Sequence, residues 1–146
     1  MATLFVRAAA RVHRGGKMID CPLCEITDGA RASSVIANRP YACAVVDENA
    51  PAPGRVIVVP RPHVSRISEL SDAQATELMM LARDVAVALE DGNIALEGVV
   101  AEAGNDAIDE ESHLRITVIP RMSSGASERQ HVISDDAVEA LRRALA

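Results

Sequence analysis

Aromatic side chains are almost absent from this chain of 146 residues, since phenylalanine, tyrosine and tryptophan together make up 1% of it. The chain has one phenylalanine, Phe5, one tyrosine, Tyr41, and no tryptophan. Recognition of nucleic acid by stacking of bases on aromatic rings is therefore not expected. Hydrophobic residues nevertheless make up 49% of the chain. Since so few of them are aromatic, the core must be built from aliphatic residues and methionine.

An excess of positive charge is also lacking, because the formal net charge is -6 at pH 7. A protein that binds the phosphate backbone of nucleic acids needs a basic face, so a nucleic-acid partner is not expected. Residues 1–17 differ from the rest: they contain four basic residues and no acidic one, so they carry +4 and residues 18–146 carry -10. We interpret residues 1–17 as a basic tail, either a disordered leader or an over-extended start ahead of Met18, with a transit peptide as the alternative.

The chain also lacks long apolar runs and has few cysteines. No stretch reaches the roughly 18 apolar residues that a membrane span needs, which predicts a soluble cytoplasmic protein with no membrane partner. The three cysteines are an odd number, and Cys21 and Cys24 form a C-x-x-C pair. This usage favours thiol or metal chemistry over a disulfide scaffold. Cys43 lies in an apolar segment and is interpreted as a small core residue.

Apolar patterning predicts an α+β fold with an antiparallel sheet in a single domain. Strands are predicted at residues 41–46, 55–60, 98–103 and 112–120, and the first two are expected to pair in antiparallel fashion. A long helix is predicted to begin after Ser71, where Gln74 completes a capping box, and to end near Gly92. Its apolar stripe is predicted to comprise Ala75, Leu78, Met79, Ala82, Val85, Ala86 and Leu89. A second helix is predicted after residue 134, with acidic residues in its first turn and arginines in its last.

The stretch SHLRITVIP, residues 112–120, alternates polar and apolar residues in the manner of a half-buried strand. Its polar face presents His113, Arg115 and Thr117 in a row, because side chains of a strand repeat every second residue. Of the four histidines, His63 and His113 lie at predicted strand ends. With Cys21 and Cys24 they would complete a tetrahedral Cys2His2 zinc site. The alternative is a reduced thiol pair with two surface histidines.

Three segments, CPLCEITDG, VVDENAPAPGRVIVVPRPHVSRISELS and HLRITVIPR, resemble in order and spacing the histidine triad (HIT) family of nucleotide hydrolases and transferases. The resemblance covers Met18 to Arg121 and implies a HIT-like domain at residues 18–122, between the tail 1–17 and a C-terminal extension with a helix at 123–146. It implies a HIT-like fold, with an antiparallel sheet and one long helix, and a homodimer. It also implies zinc bound by the family's metal positions, which are Cys21, Cys24, His63 and His113 here.

The triad itself departs from the family pattern, because this chain reads His113-Leu114-Arg115-Ile116-Thr117 where the family has three alternating histidines. The family's middle histidine is the nucleophile that attacks the α-phosphorus, and Arg115 stands in its place. A guanidinium has no available lone pair and cannot act as a nucleophile. The resemblance therefore implies a fold whose family-type hydrolysis is lost.

Two further features concern the ligand. Asp47 matches the acid that contacts the ribose in the family, although a loop carboxylate that caps a turn is the alternative. Arg115 could bind an anion, or it could form an ion pair with the acidic loop before the triad, at Asp109, Glu110 or Glu111.

From these features we predict a non-catalytic, zinc-binding protein that binds a purine nucleotide or another small anion through Asp47 and Arg115. Two alternatives stay open: an active phosphohydrolase or nucleotidyl transferase that uses another nucleophile, and a structural or interaction module with a closed pocket.

Overall fold

The computed structural model describes residues 12–13, 17–18, 21–30, 34–47, 55–102, 113–121 and 135–146. In chain order the strands are β1 (Val12–His13), β2 (Lys17–Met18), β3 (Val35–Asn38), β4 (Ala42–Val46), β5 (Val56–Pro60), β6 (Leu96–Glu102) and β7 (Arg115–Pro120). The α-helices are α1 (Pro22–Glu25), α2 (Asp72–Asp91) and α3 (Asp135–Leu145). The division of the chain at residues 17 and 122 stays a prediction.

Five strands form one antiparallel sheet in the order β3-β4-β5-β7-β6. The predicted antiparallel pairing of β4 with β5 is confirmed, and so is the α+β class. β3 was not predicted from the sequence, and β7 begins at Arg115 rather than at residue 112. β1 and β2 pair with each other outside this sheet.

Helix α2 begins as its sequence predicts. The Ser71 hydroxyl accepts a hydrogen bond from the Gln74 backbone N–H at 3.2 Å, and the Gln74 Oε1 accepts one from the Ser71 backbone N–H at 3.0 Å. This reciprocal capping satisfies backbone donors that the first turn leaves without intrahelical partners. The helix ends at Asp91 with Gly92 as its C-cap, close to the predicted end. Among the described residues, no helix combines the length and hydrophobicity needed to cross a membrane.

The main core lies between one face of the sheet and the helices α2 and α3. Leu78, Ala82, Val85 and Leu89 of the predicted stripe are buried there, as expected. The predictions for Ala75 and Met79 are wrong: both are exposed, Met79 at 60%, and Leu81 is fully buried instead. The helical period of 3.6 residues places position 81, rather than 79, on the side that already holds 78, 82 and 85.

The opposite face of the sheet is covered as well, and this face carries the candidate site. Cys43, Val45, Ile57 and Val59 are buried on it, packed against Leu23 and Ile26 of the N-terminal segment. β7 is therefore more deeply buried than the half-buried strand that its alternation predicted, and Thr117 is only 3% exposed. The core role predicted for Cys43 is confirmed.

Candidate metal centre

Four side chains from three separate segments converge at one end of the sheet. Cys21, Cys24, His63 and His113 each offer one ligand atom, and these four atoms all lie within 4.8 Å of one another. Both cysteines and His113 are buried, and His63 is partly buried. The structure thus brings together the four residues that the sequence singled out, in an arrangement that could hold a metal ion.

The two cysteines are placed by the short helix α1. Cys21 is the N-cap residue, and Pro22 follows at a position where its fixed φ and missing N–H suit the first turn. The Cys21 sulfur accepts a hydrogen bond from the Cys24 backbone N–H at 3.4 Å. Hydrogen bonding with the Cys24 thiol lowers the pKa of the Cys21 thiol well below its usual range, although burial acts in the opposite direction. The turn therefore favours a thiolate, the form in which cysteine binds metals.

His113 enters the cluster just before β7 begins. Its Nδ1 atom lies 3.5 Å from the Cys21 sulfur and 3.6 Å from the Cys24 sulfur, and its Nε2 atom lies 2.9 Å from the carbonyl oxygen of Pro60. A carbonyl can only accept, so Nε2 carries the proton and donates it. In the neutral ring the lone pair is then on Nδ1, which points at the two sulfurs.

His63 follows β5 and reaches the cluster from the neighbouring segment. Its Nδ1 atom lies 3.3 Å from the Cys24 sulfur, and its Nε2 atom lies 3.4 Å from the Ser65 hydroxyl. The centroids of the His63 and His113 rings are 4.3 Å apart. Both imidazoles thus present the same atom, Nδ1, to the cysteines and use Nε2 for a hydrogen bond to a neighbour, a pattern typical of histidine ligands.

Cys43 does not belong to this cluster. It is fully buried in the sheet, and burial raises the pKa of its thiol to about 11. A thiol that stays protonated in an apolar environment is an inert core group.

Arg115 makes an ion pair that was not predicted from the sequence. Its Nε atom lies 3.3 Å from Oε2 of Glu102, and the Thr117 hydroxyl donates a hydrogen bond to the same oxygen at 2.9 Å. Glu102 lies directly opposite Arg115 in the β6–β7 pairing. The predicted partners Asp109, Glu110 and Glu111 lie outside the described residues.

Asp47 lies at the other end of the same strands. Its backbone N–H donates to the carbonyl of Arg55 at 3.0 Å, just before β5 begins. Arg115 adjoins Ile116, which pairs with Val58, so the two predicted ligand contacts are separated by roughly 10–13 Å along β5.

The fold and the cluster together define the class of this protein. The sequence model of the HIT domain matches residues 29–124, which is more than half of the chain. The chain belongs to the HIT family, and the fold predicted from the resemblance is confirmed.

Similar proteins share this fold at modest sequence identity. A zinc-bound histidine triad family protein from Mycobacterium smegmatis superposes with a TM-score of 0.66, at 19% identity over 86% of this chain and 93% of that one. A HIT family hydrolase from Clostridium thermocellum gives a TM-score of 0.58, at 21% identity over 76% of this chain and 98% of that one. The nitrilase and fragile histidine triad fusion protein NitFhit of Caenorhabditis elegans is 25% identical over 100 residues, which are 68% of this chain but only 23% of that protein.

Proposed function

We propose that this chain is a zinc-stabilised HIT protein that binds a purine nucleotide or a similar small anion without cleaving it. The observation that carries the proposal is Arg115, which occupies the middle position of the triad and is ion-paired with Glu102. The neighbouring metal cluster supports the structural part of the proposal, and the ion pair supports the loss of nucleophilic chemistry.

Zinc fits the donor set. Zinc bonds of about 2.3 Å to sulfur and 2.1 Å to nitrogen, at a tetrahedral angle, place the two ligand atoms roughly 3.6 Å apart. Three of the four sulfur–nitrogen distances in the cluster are 3.3, 3.5 and 3.6 Å. Two thiolates and two imidazoles fill all four positions and leave none for water or substrate, which is the arrangement of a structural site. When bound, the metal would cross-link α1 to the ends of β5 and β7.

Arg115 removes the chemistry of the family's middle histidine. Its guanidinium is permanently cationic and has no lone pair to attack phosphorus. Thr117, at the third triad position, is buried, and its hydroxyl donates a hydrogen bond to Glu102. With its proton directed at Glu102, this hydroxyl is not available as a donor to a ligand.

We therefore expect no nucleotidyl transfer. Incubation of the full chain with adenosine phosphoramidate should give no release of AMP above the buffer rate, and mass spectrometry of the quenched protein should show no adenylylated peptide. Turnover that persists in Arg115→Ala would contradict this expectation and would favour the alternative of an enzyme with another nucleophile.

Glu102 should control how strongly Arg115 binds an anion. A bound phosphate must compete with the carboxylate that lies 3.3 Å from the guanidinium. Neutralising that carboxylate in Glu102→Gln removes one exposed charge at close range, which is worth about 1 kcal/mol, or roughly a fivefold gain in affinity. Titration calorimetry with AMP measures the gain.

Glu97→Gln is the matched control, because it removes the same charge from the same strand at an exposed position. It should leave AMP affinity within twofold of the unmodified chain. If neither the unmodified chain nor Glu102→Gln binds AMP, the nucleotide-binding proposal is wrong. The remaining candidate is then an interaction module whose pocket is closed by the pair of Arg115 and Glu102, which is the observation that favours it.

We also propose a homodimer and a cytoplasmic location. β6 is an edge strand of the sheet and exposes Val99 and Val100, at 49% and 43%, and an exposed apolar edge strand is suited to pairing with a second copy. Sedimentation equilibrium should give twice the chain mass of 15.5 kDa, and a monomer at micromolar concentration would contradict the proposal. A zinc site needs Cys21 and Cys24 as thiolates rather than as a disulfide, which favours a reducing compartment.

A further inference from the structure

Gln74 is a buried polar residue whose side chain does more than cap helix α2. It is 5% exposed, although it lies in the first turn of a helix whose other first-turn positions face solvent. Its Oε1 atom accepts the capping hydrogen bond from Ser71, and its Nε2 atom donates a second hydrogen bond, at 2.9 Å, to the carbonyl oxygen of Pro62. Pro62 immediately precedes the candidate metal ligand His63.

The segment that carries His63 has no regular secondary structure of its own. Two backbone carbonyls of this segment accept hydrogen bonds from other parts of the chain. The Pro62 carbonyl accepts one from the Gln74 side chain, and the Val64 carbonyl accepts one from the Leu114 backbone N–H at 2.8 Å. Leu114 is adjacent to the second histidine of the cluster. The two hydrogen bonds therefore bracket His63, and one of them also fixes its distance from His113.

We propose that Gln74 is a positioning residue for the metal centre, which orients His63 through the Pro62 carbonyl. The peptide bond between Pro62 and His63 is planar, so fixing the direction of that carbonyl also fixes the backbone nitrogen of His63. Only the φ and side-chain torsions of His63 then remain to place Nδ1. Residues that orient metal ligands from outside the coordination sphere typically change metal affinity by about 10- to 100-fold when they are replaced.

This inference rests on the proposed zinc site, and it separates two roles of one side chain. Oε1 serves the start of the helix and Nε2 serves the ligand segment. The chain offers a control for the first role, because Ser71→Ala also breaks the capping box but leaves the Nε2 contact with Pro62 in place. It also offers Gln74→Glu, which keeps an acceptor for the Ser71 N–H but loses the amide donor.

The experiment measures metal binding by the full chain in three variants: Gln74→Met, Ser71→Ala and Gln74→Glu. Zinc affinity is obtained by competition with a chromophoric chelator, and the cobalt(II) form is compared by its visible d–d absorption, which reports ligand geometry. We expect Gln74→Met to weaken zinc affinity about tenfold and to shift the cobalt spectrum. Ser71→Ala should lower the stability of the metal-free protein without either change.

Equal loss of zinc affinity in Gln74→Met and Ser71→Ala would overturn the inference, because it would assign the effect to the helix start. Unchanged affinity in Gln74→Met would overturn it as well. If Gln74→Met does not fold, Gln74→Glu decides: weakened zinc binding supports the inference and unchanged binding refutes it. Failure of the unmodified chain to bind either metal would instead refute the zinc site itself, and the inference with it.

Discussion

Replacing Cys24 by serine is expected to lower the free energy of unfolding by about 4 kcal/mol when free zinc is roughly 1,000-fold above the dissociation constant of the unmodified chain. The Cys24 sulfur lies 3.3 Å from Nδ1 of His63 and 3.6 Å from Nδ1 of His113. Its loss therefore removes the side chain of α1 that contacts both histidine segments of the cluster. Metal binding to a site that exists only in the folded state contributes directly to folding stability. The expected fall in melting temperature is roughly 10–20 °C.

The measurement is thermal unfolding of the unmodified chain and of Cys24→Ser, each with excess zinc and with a strong chelator. Chelator should destabilise the unmodified chain by about the same amount as the substitution does, and it should have little effect on Cys24→Ser. Cys43→Ala is the control, because Cys43 is a buried thiol outside the cluster. Its baseline stability should fall through lost packing while its response to chelator is retained. Identical melting of the unmodified chain with and without chelator would contradict the zinc proposal.

The parts of this fold that could be predicted from the sequence are those set by local chemistry. Ser71 and Gln74 form a capping box because their spacing suits the first turn of a helix. The β-branched run of β5 forms a strand because such residues fit a buried, pleated surface. The four candidate metal ligands were grouped from their residue types and predicted strand ends, and the family resemblance implied the same four. In the structure Cys21, Cys24, His63 and His113 lie close enough together to hold a metal ion.

The parts that could not be predicted depend on contacts between segments that are distant in the sequence. The pair of Arg115 and Glu102 requires the register between β6 and β7, which no local pattern sets. The second hydrogen bond of Gln74, to Pro62, requires knowledge that α2 begins beside the ligand segment. Strand β3 was missed because its four residues, VIAN, are too few to show a clear period.

The error at Met79 has a specific cause. Residues 78–81 read Leu-Met-Met-Leu, so this turn of α2 is apolar on all sides and, taken by itself, does not show which side is buried. The rest of the buried side of the helix decides this, and Leu78 and Leu81 are buried on it while both methionines are exposed. The leucine and methionine positions of this turn therefore differ in burial, although their side chains are similar in hydrophobicity.

We expect this difference to appear as a large contrast in stability. Leu81 is fully buried in the core between α2 and the sheet, and Leu81→Ala should lower the free energy of unfolding by about 2–5 kcal/mol, because transfer free energy is lost and a cavity remains. Met79→Ala, on the exposed side of the same turn, should change it by less than about 0.5 kcal/mol. Urea unfolding of both variants at one fixed zinc concentration measures the contrast. Since alanine favours the helix at least as well as leucine or methionine does, a comparable loss in both variants could not come from helix propensity, and it would show that residue 79 packs against another surface.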